Sequence, residues 1–356
     1  LSVSGSLSDS TIVDVSSGAN YVLGKSDTIG GLQGAGSVDL NGNELTVGQS
    51  ALNATFNGII SGSSSSSNLR KQGDGNLTLS GSNTYGGDTF VDAGNLNVTG
   101  SLPDSTVVNV SSGANYTLGE PDTIGGLEGA GSVDLNGYEL TINQSASEAV
   151  FSGIISGPSV SSNLRKQGSG MLVFSGYNKY EGSTFVDAGV LSIAGVPNNF
   201  SDIVISSDAI LEFDISGSQS YSGDISGSGG LRKISSGELL LTGALTYTGA
   251  TSIQGGSLQV SSLPISSTSI TCSGGGISNL CTSSSEPTSE GSTGESIEES
   301  TEESIEESTE ESTDGSTEGS TEGSKGGSTE ESTEESTEGS TGGSTEGSKG
   351  GSTEES

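Results

Sequence analysis

The sequence predicts an all-β chain: a right-handed parallel β-helix followed by a disordered, acidic, low-complexity tail. Three observations carry this. The chain from Leu1 to Cys281 contains an internal repeat, that repeat is filled with short runs of alternating apolar and polar residues, and the composition changes abruptly from Thr282 onward.

The repeat comes first, because a period of this kind decides the architecture. Ser16 to Tyr21 reappears as Ser111 to Tyr116, Gly34 to Gly42 as Gly129 to Gly137, and Leu69 to Gly73 as Leu164 to Gly168, always 95 residues on and without insertion. A third copy starts near Val190. There Leu164-Arg165-Lys166 maps to Leu231-Arg232-Lys233, an offset of 67, so 28 residues are missing. A stack of coils survives such a loss, since it costs about one coil. A β-sandwich of similar length, the competing architecture, would lose its core.

Within each copy the period is two. Val13 and Val15, Val38 and Leu40, Leu45 and Val47, Leu77 and Leu79, Leu96 and Val98 alternate with polar residues. Turns rich in Gly, Asn, Asp and Ser separate these strands of about three to five residues, and no segment sustains helical spacing. Hydrophobic residues make up only 28% of the chain against about 45–50% in an ordinary domain. That fits strands that bury one face. Coils of about 20–25 residues imply ten to thirteen of them, in a rod of about 50–60 Å.

Three segments follow: residues 1–265 as the β-helix, 266–281 as a terminal cysteine-containing loop, and 282–356 as the tail. The tail repeats Ser-Thr-Glu-Glu and Ser-Thr-Glu-Gly, with 22 acidic residues against Lys325 and Lys349, a net −20. Its apolar side chains are Ile297 and Ile305, too few to offset the chain entropy of about 1–2 kcal/mol per residue. Disorder is therefore expected.

Composition also excludes functions. The chain has no His and a formal charge of −35. There is thus no Ser-His-Asp triad, no Cys-His dyad and no histidine-ligated metal. Phosphate backbones and anionic membranes should not attract it, so neither nucleic acid binding nor direct membrane insertion is expected. No cofactor, metal or catalytic residue is assigned. The Gly31 to Gly36 run lacks the order of a phosphate loop, and Gly34 to Asp39 lacks the spacing of a calcium nonapeptide. The chain opens at Leu1 with no visible signal peptide, which points to a fragment or processed product.

Leu69-Arg70-Lys71-Gln72-Gly73-Asp74-Gly75-Asn76-Leu77-Thr78-Leu79-Ser80-Gly81-Ser82-Asn83-Thr84-Tyr85, continuing through Thr89, Val91 and Gly94 to Leu96, resembles the autotransporter-associated β-strand repeat, also called the passenger-associated transport repeat. Leu164 to Leu191 keeps nearly all of that pattern. Leu231 to Leu258 keeps Lys233, Gly243, Tyr247 and Gly256 but has Ser235 for the first Gly and Leu245 for the Asn. The resemblance implies a non-enzymatic β-helical passenger, secreted or exposed on the outer face of a Gram-negative envelope, acting as a structural stalk or adhesin. The alternatives are a module whose coil-edge loops hold a host surface protein or an extracellular glycan, and, further off, a polysaccharide lyase or hydrolase.

Four details are left for the structure. Glycines 73, 75, 81, 87 and 94 should sit at sharp turns. Tyr85 and Phe90 should pack in the core or at coil edges. Arg70-Lys71, Arg165-Lys166 and Arg232-Lys233 should balance nearby acids, the alternative being a stacked positive strip. Cys272 and Cys281, the chain's two cysteines, enclose a flexible loop that should close as a disulfide in an oxidising compartment.

Overall fold

A computed structural model describes residues 1–48, 53–145, 148–195, 201–261 and 267–273. Among them the chain forms 36 strands and no helix. Every pairing between these strands is parallel, and each coil lays its strands beside those of the previous coil. One sheet of 13 strands runs from Asp27–Ile29 to Ile270–Cys272, flanked by sheets of nine and three strands and of five and six. The parallel β-solenoid expected from the repeat is thus the fold. Thirteen strands at about 4.8 Å place the ends of the long sheet roughly 58 Å apart.

The pairing register measures the coil. Asn20 pairs with Ser37, whereas Leu45 pairs with Leu69, a longer step along the chain. Coils therefore differ in length, and their turns absorb the difference. The 13-stranded sheet passes through the third copy without a break, so the deletion in that copy shortens the stack and leaves its core intact.

Alternation decides what is inside. Leu77, Leu79, Val91 and Leu96 are fully buried, while Thr78, Asn95 and Asn97 between them face out. Along the axis the core is a column of Leu, Val and Ile, with Tyr21, Phe56, Tyr85, Tyr116, Phe151, Phe213, Tyr221 and Tyr247 filling wider places.

The repeated unit is not a whole number of coils. Strand Asn76–Leu79 belongs to the nine-stranded sheet, its copy Met171–Phe174 to the 13-stranded sheet, and its third version Glu238–Leu241 to the three-stranded sheet. Equivalent side chains in successive copies therefore do not line up along one face.

Cys272 ends the last described strand, Ile270–Cys272. Cys281, most of the 266–281 loop and the whole 282–356 tail lie outside the described residues.

The inward register has a direct test. Leu77→Asp places a carboxylate in the core and should cost several kcal/mol, whereas Thr78→Asp on the outer face should cost less than about 1 kcal/mol. Chemical denaturation of the two variants measures the contrast.

Candidate functional site

Residues 69–98, 164–193 and 231–260 can be read position by position, because each copy shows what its motif residues do. The lysine is the least expected. Lys71 lies two residues from Leu69 on the same strand, so it faces inward and is fully buried. Its Nζ donates to the carbonyls of Gln72 (2.9 Å), Gly73 (2.6 Å) and Ala93 (3.0 Å). Lys166 repeats this on Gln167 (2.8 Å), Gly168 (2.8 Å) and Ala188 (3.1 Å). Lys233 donates to Ile215 (3.2 Å), Ser235 (2.8 Å) and Ile234. The first two ammonium groups each join a corner to the coil stacked after it, and Lys233 reaches both the coil after, at Gly255 (3.5 Å), and the coil before, at Ile215. Burial lowers the amines of Lys71 and Lys166 to about 8, which leaves them mostly charged at neutral pH.

The other motif residues hold the same corner. The tyrosine hydroxyl pairs with a threonine four residues on in every copy: Tyr85 with Thr89 (2.6 Å), Tyr180 with Thr184 (2.6 Å) and Tyr247 with Thr251 (2.7 Å). Asn83 is buried and connects three coils: its Oδ1 accepts from the Ile60 amide (3.0 Å), and its Nδ2 donates to the carbonyls of Gly81 (3.1 Å) and Ser101 (2.9 Å). Asn178 repeats the first of these bonds, to Ile155 (3.0 Å). Leu245, which replaces the asparagine in the third copy, is buried and forms a backbone bridge with Ile225 instead.

The glycines divide into two kinds. Gly73 and Gly94 have the left-handed φ expected of turn glycines, and Ser235 keeps that φ (60°) where the third copy has lost the glycine. Gly81 is needed for a different reason. A Cβ there would lie 1.9 Å from the Gly58 carbonyl oxygen of the stacked coil, with equivalent clashes of 1.8 Å at Gly176 and 2.1 Å at Gly243.

The basic pairs resolve as charge balance. Arg70 bonds to Glu44 (3.0 Å) and Asp92 (2.8 Å), and Arg165 to Glu139 (3.0 Å) and Asp187 (2.8 Å). Arg232 binds Glu212 at 2.6 Å. No single strip forms, since the strand of Arg165 lies in the six-stranded sheet and those of Arg70 and Arg232 in the 13-stranded sheet. Tyr85 is buried as expected, but Phe90 is not a core residue. It faces outward under Arg70, whose guanidinium carbon sits 4.2 Å from the ring centre, as Arg165 sits 4.4 Å over Phe185.

The outward positions differ between copies. The first presents Asn76, Thr78, Asn95 and Asn97. Asn95 Nδ2 donates to Asn76 Oδ1 (2.9 Å), and Asn115 on the next coil continues the ladder to Asn95 (3.1 Å). The second presents Met171, Val173 and Val190, and the third Glu238, Leu240 and Gln259, while Ser192 and Ser257 on the same strands are buried. One inner frame thus carries three outer chemistries. The period-two pattern already contained the signal for the buried lysines, because Lys71 shares the parity of Leu69.

A β-coil whose inner and corner residues recur while its outer residues change defines a repeat solenoid, and the comparisons with known proteins find the same repeat. Residues 69–98, 164–193 and 231–260 each match the passenger-associated-transport-repeat, so the chain is a passenger-associated-transport-repeat protein and is autotransporter passenger-like. It is also similar to the adhesin BmaC autotransporter of Brucella suis biovar 1 (strain 1330), with 30% identity over 322 residues. That match covers 75% of this chain and spans 9% of the adhesin's length. No solved structure matches the chain.

The corners give two expectations. Lys71→Met removes the ammonium from three carbonyls, and buried polar groups left unpaired cost about 1–3 kcal/mol each. The variant should lose at least that much stability in chemical denaturation, and Lys166→Met should match it. The second concerns Asp122, which is buried and accepts bonds from the Tyr116 hydroxyl (2.9 Å) and the Thr123 amide (3.0 Å). Burial pushes its carboxyl up to about 6, opposed by those donors and the Leu102 amide and reinforced by Asp104. The folded state then holds the proton more tightly than the unfolded chain, so this contribution to stability is complete below about pH 4 and is lost as pH rises through 6. Relative to Asp122→Asn, the wild-type protein should lose stability between pH 4 and 7, as read by thermal unfolding at each pH.

Proposed function

We propose that this chain is a non-enzymatic, adhesin-like passenger, exposed on or secreted from the outer face of a Gram-negative cell, in which the solenoid is a rigid stalk that displays binding faces. The observation that carries the reading is the contrast between fixed interior and variable exterior. Lysine, tyrosine and glycine recur at the corners of all three copies, while the outward residues of the same strands run from amides to aliphatics to a mixed acidic face. The autotransporter family and the similarity to an adhesin support the envelope location and the adhesive role. The excess of acid over base suits a surface that must avoid other anionic polymers.

In the oxidising environment outside such a cell, Cys272 and Cys281 would close the loop between them. A mass shift of the pair on reduction and alkylation tests this.

The adhesive reading is tested by coating beads with the purified chain and counting their attachment to host epithelial cells against uncoated beads. Attachment several-fold above background is expected. Attachment at background, or release of reducing sugar or unsaturated product from acidic polysaccharides by the same preparation, would overturn it.

A further inference from the structure

The third copy of the repeat builds its outer surface on the three-stranded sheet of Ser218–Tyr221, Glu238–Leu241 and Ser257–Val260. Ser218, Glu238 and Ser257 form one row across it, and Ser220, Leu240 and Gln259 form the next. These strands line a groove of about 370 Å³, within the range of small-ligand sites.

The chemistry of the groove is mixed. Ser218 Oγ donates to Glu238 Oε2 at 3.1 Å, which uses one of the roughly four acceptor positions of a carboxylate. Gln259 brings an amide and Ser220 a hydroxyl, both exposed. Leu240, on the row between them, is 37% exposed. Among the described residues that line the groove, none is basic.

The equivalent positions in the other copies lack this combination. Asn95 donates its amide to Asn76 and Asn76 donates its own to Thr78, and Met171 and Val173 offer no polar group.

We propose that this groove is a saccharide subsite for one or two residues of an uncharged glycan. A carboxylate, an amide and hydroxyls on three adjacent strands match the hydroxyls of a sugar ring, and an exposed leucine beside them meets its C–H face. The acidic body and the Glu238 carboxylate repel sialylated, uronic or sulfated chains. An open groove on a sheet face admits an internal stretch of a longer glycan as readily as its end. The proposal rests on the adhesin reading and gives its ligand class.

The test uses the full chain on an array of neutral hexose and N-acetylhexosamine oligosaccharides alongside sialylated, uronic and sulfated ones. Binding should be confined to neutral glycans. Glu238→Ala combined with Gln259→Ala should weaken it at least tenfold, and Leu240→Trp, which fills the groove, should do the same. Met171→Ala with Val173→Ala, on another sheet, should bind as wild type. Unchanged thermal unfolding confirms that the substitutions act at the surface, and if one groove variant fails to fold the other decides. Absence of neutral-glycan binding, preference for acidic glycans, or undiminished binding by a folded groove variant would overturn the proposal. Beads carrying the groove variants separate the two readings. Attachment that persists in them and resists competing neutral oligosaccharide leaves the adhesin standing without this subsite, whereas a wild-type chain that never attaches sinks the adhesin and leaves the array to judge the groove.

Discussion

Each coil must bring its backbone within hydrogen-bonding distance of the one before it, and the other features of this protein follow from that requirement. A spacing of about 4.8 Å leaves no room for a side chain where two corners meet. Gly81, Gly176 and Gly243 stand at those contacts, where a methyl group would clash with a carbonyl oxygen of the neighbouring coil. Corners also turn carbonyls away from the regular ladders. Lys71, Lys166 and Lys233 collect those carbonyls from inside and bind one coil to another. A charged group is expensive to bury unless it is fully hydrogen-bonded, and three acceptors on one ammonium meet that condition.

The same requirement separates the two sides of each strand. Inward residues contact the column of Leu, Val and Ile and have little freedom to change. Outward residues meet only their counterparts on adjacent coils and the solvent, so any side chain that tolerates a parallel ladder is allowed there. The three copies show that freedom in use, with an amide ladder, an aliphatic face and a mixed groove on one frame. Because the repeated unit advances the chain to a different sheet, successive copies point these faces in different directions around the axis. The three copies thus give a solenoid with several distinct surfaces on one inner frame.

Charge follows the same logic. The arginines beside the buried lysines are engaged by carboxylates on neighbouring coils and, in two copies, stack on an outward phenylalanine. These six basic residues therefore serve the stacking of coils.

What the sequence determined by itself is the part governed by local periodicity. Alternation at Leu77 and Leu79 or Leu96 and Val98 shows which residues face inward, because successive side chains of a strand point to opposite sides. The long internal repeat and its shortened third copy show that the chain is a stack. Other features needed the tertiary structure. Lys71 has the parity of a buried residue, but its charge argues for solvent until the three carbonyls that receive it are in place. Phe90 looks apolar enough for the core, yet it lies between Thr89 and Val91, which take the inward positions, so it is turned out under Arg70. Whether the three basic pairs form a strip depended on how far around the axis one repeat carries the chain, which is a sum over turns of unequal length. The groove beside Glu238 was equally hidden, since Ser218, Leu240 and Gln259 belong to three different coils and only their stacking makes them neighbours.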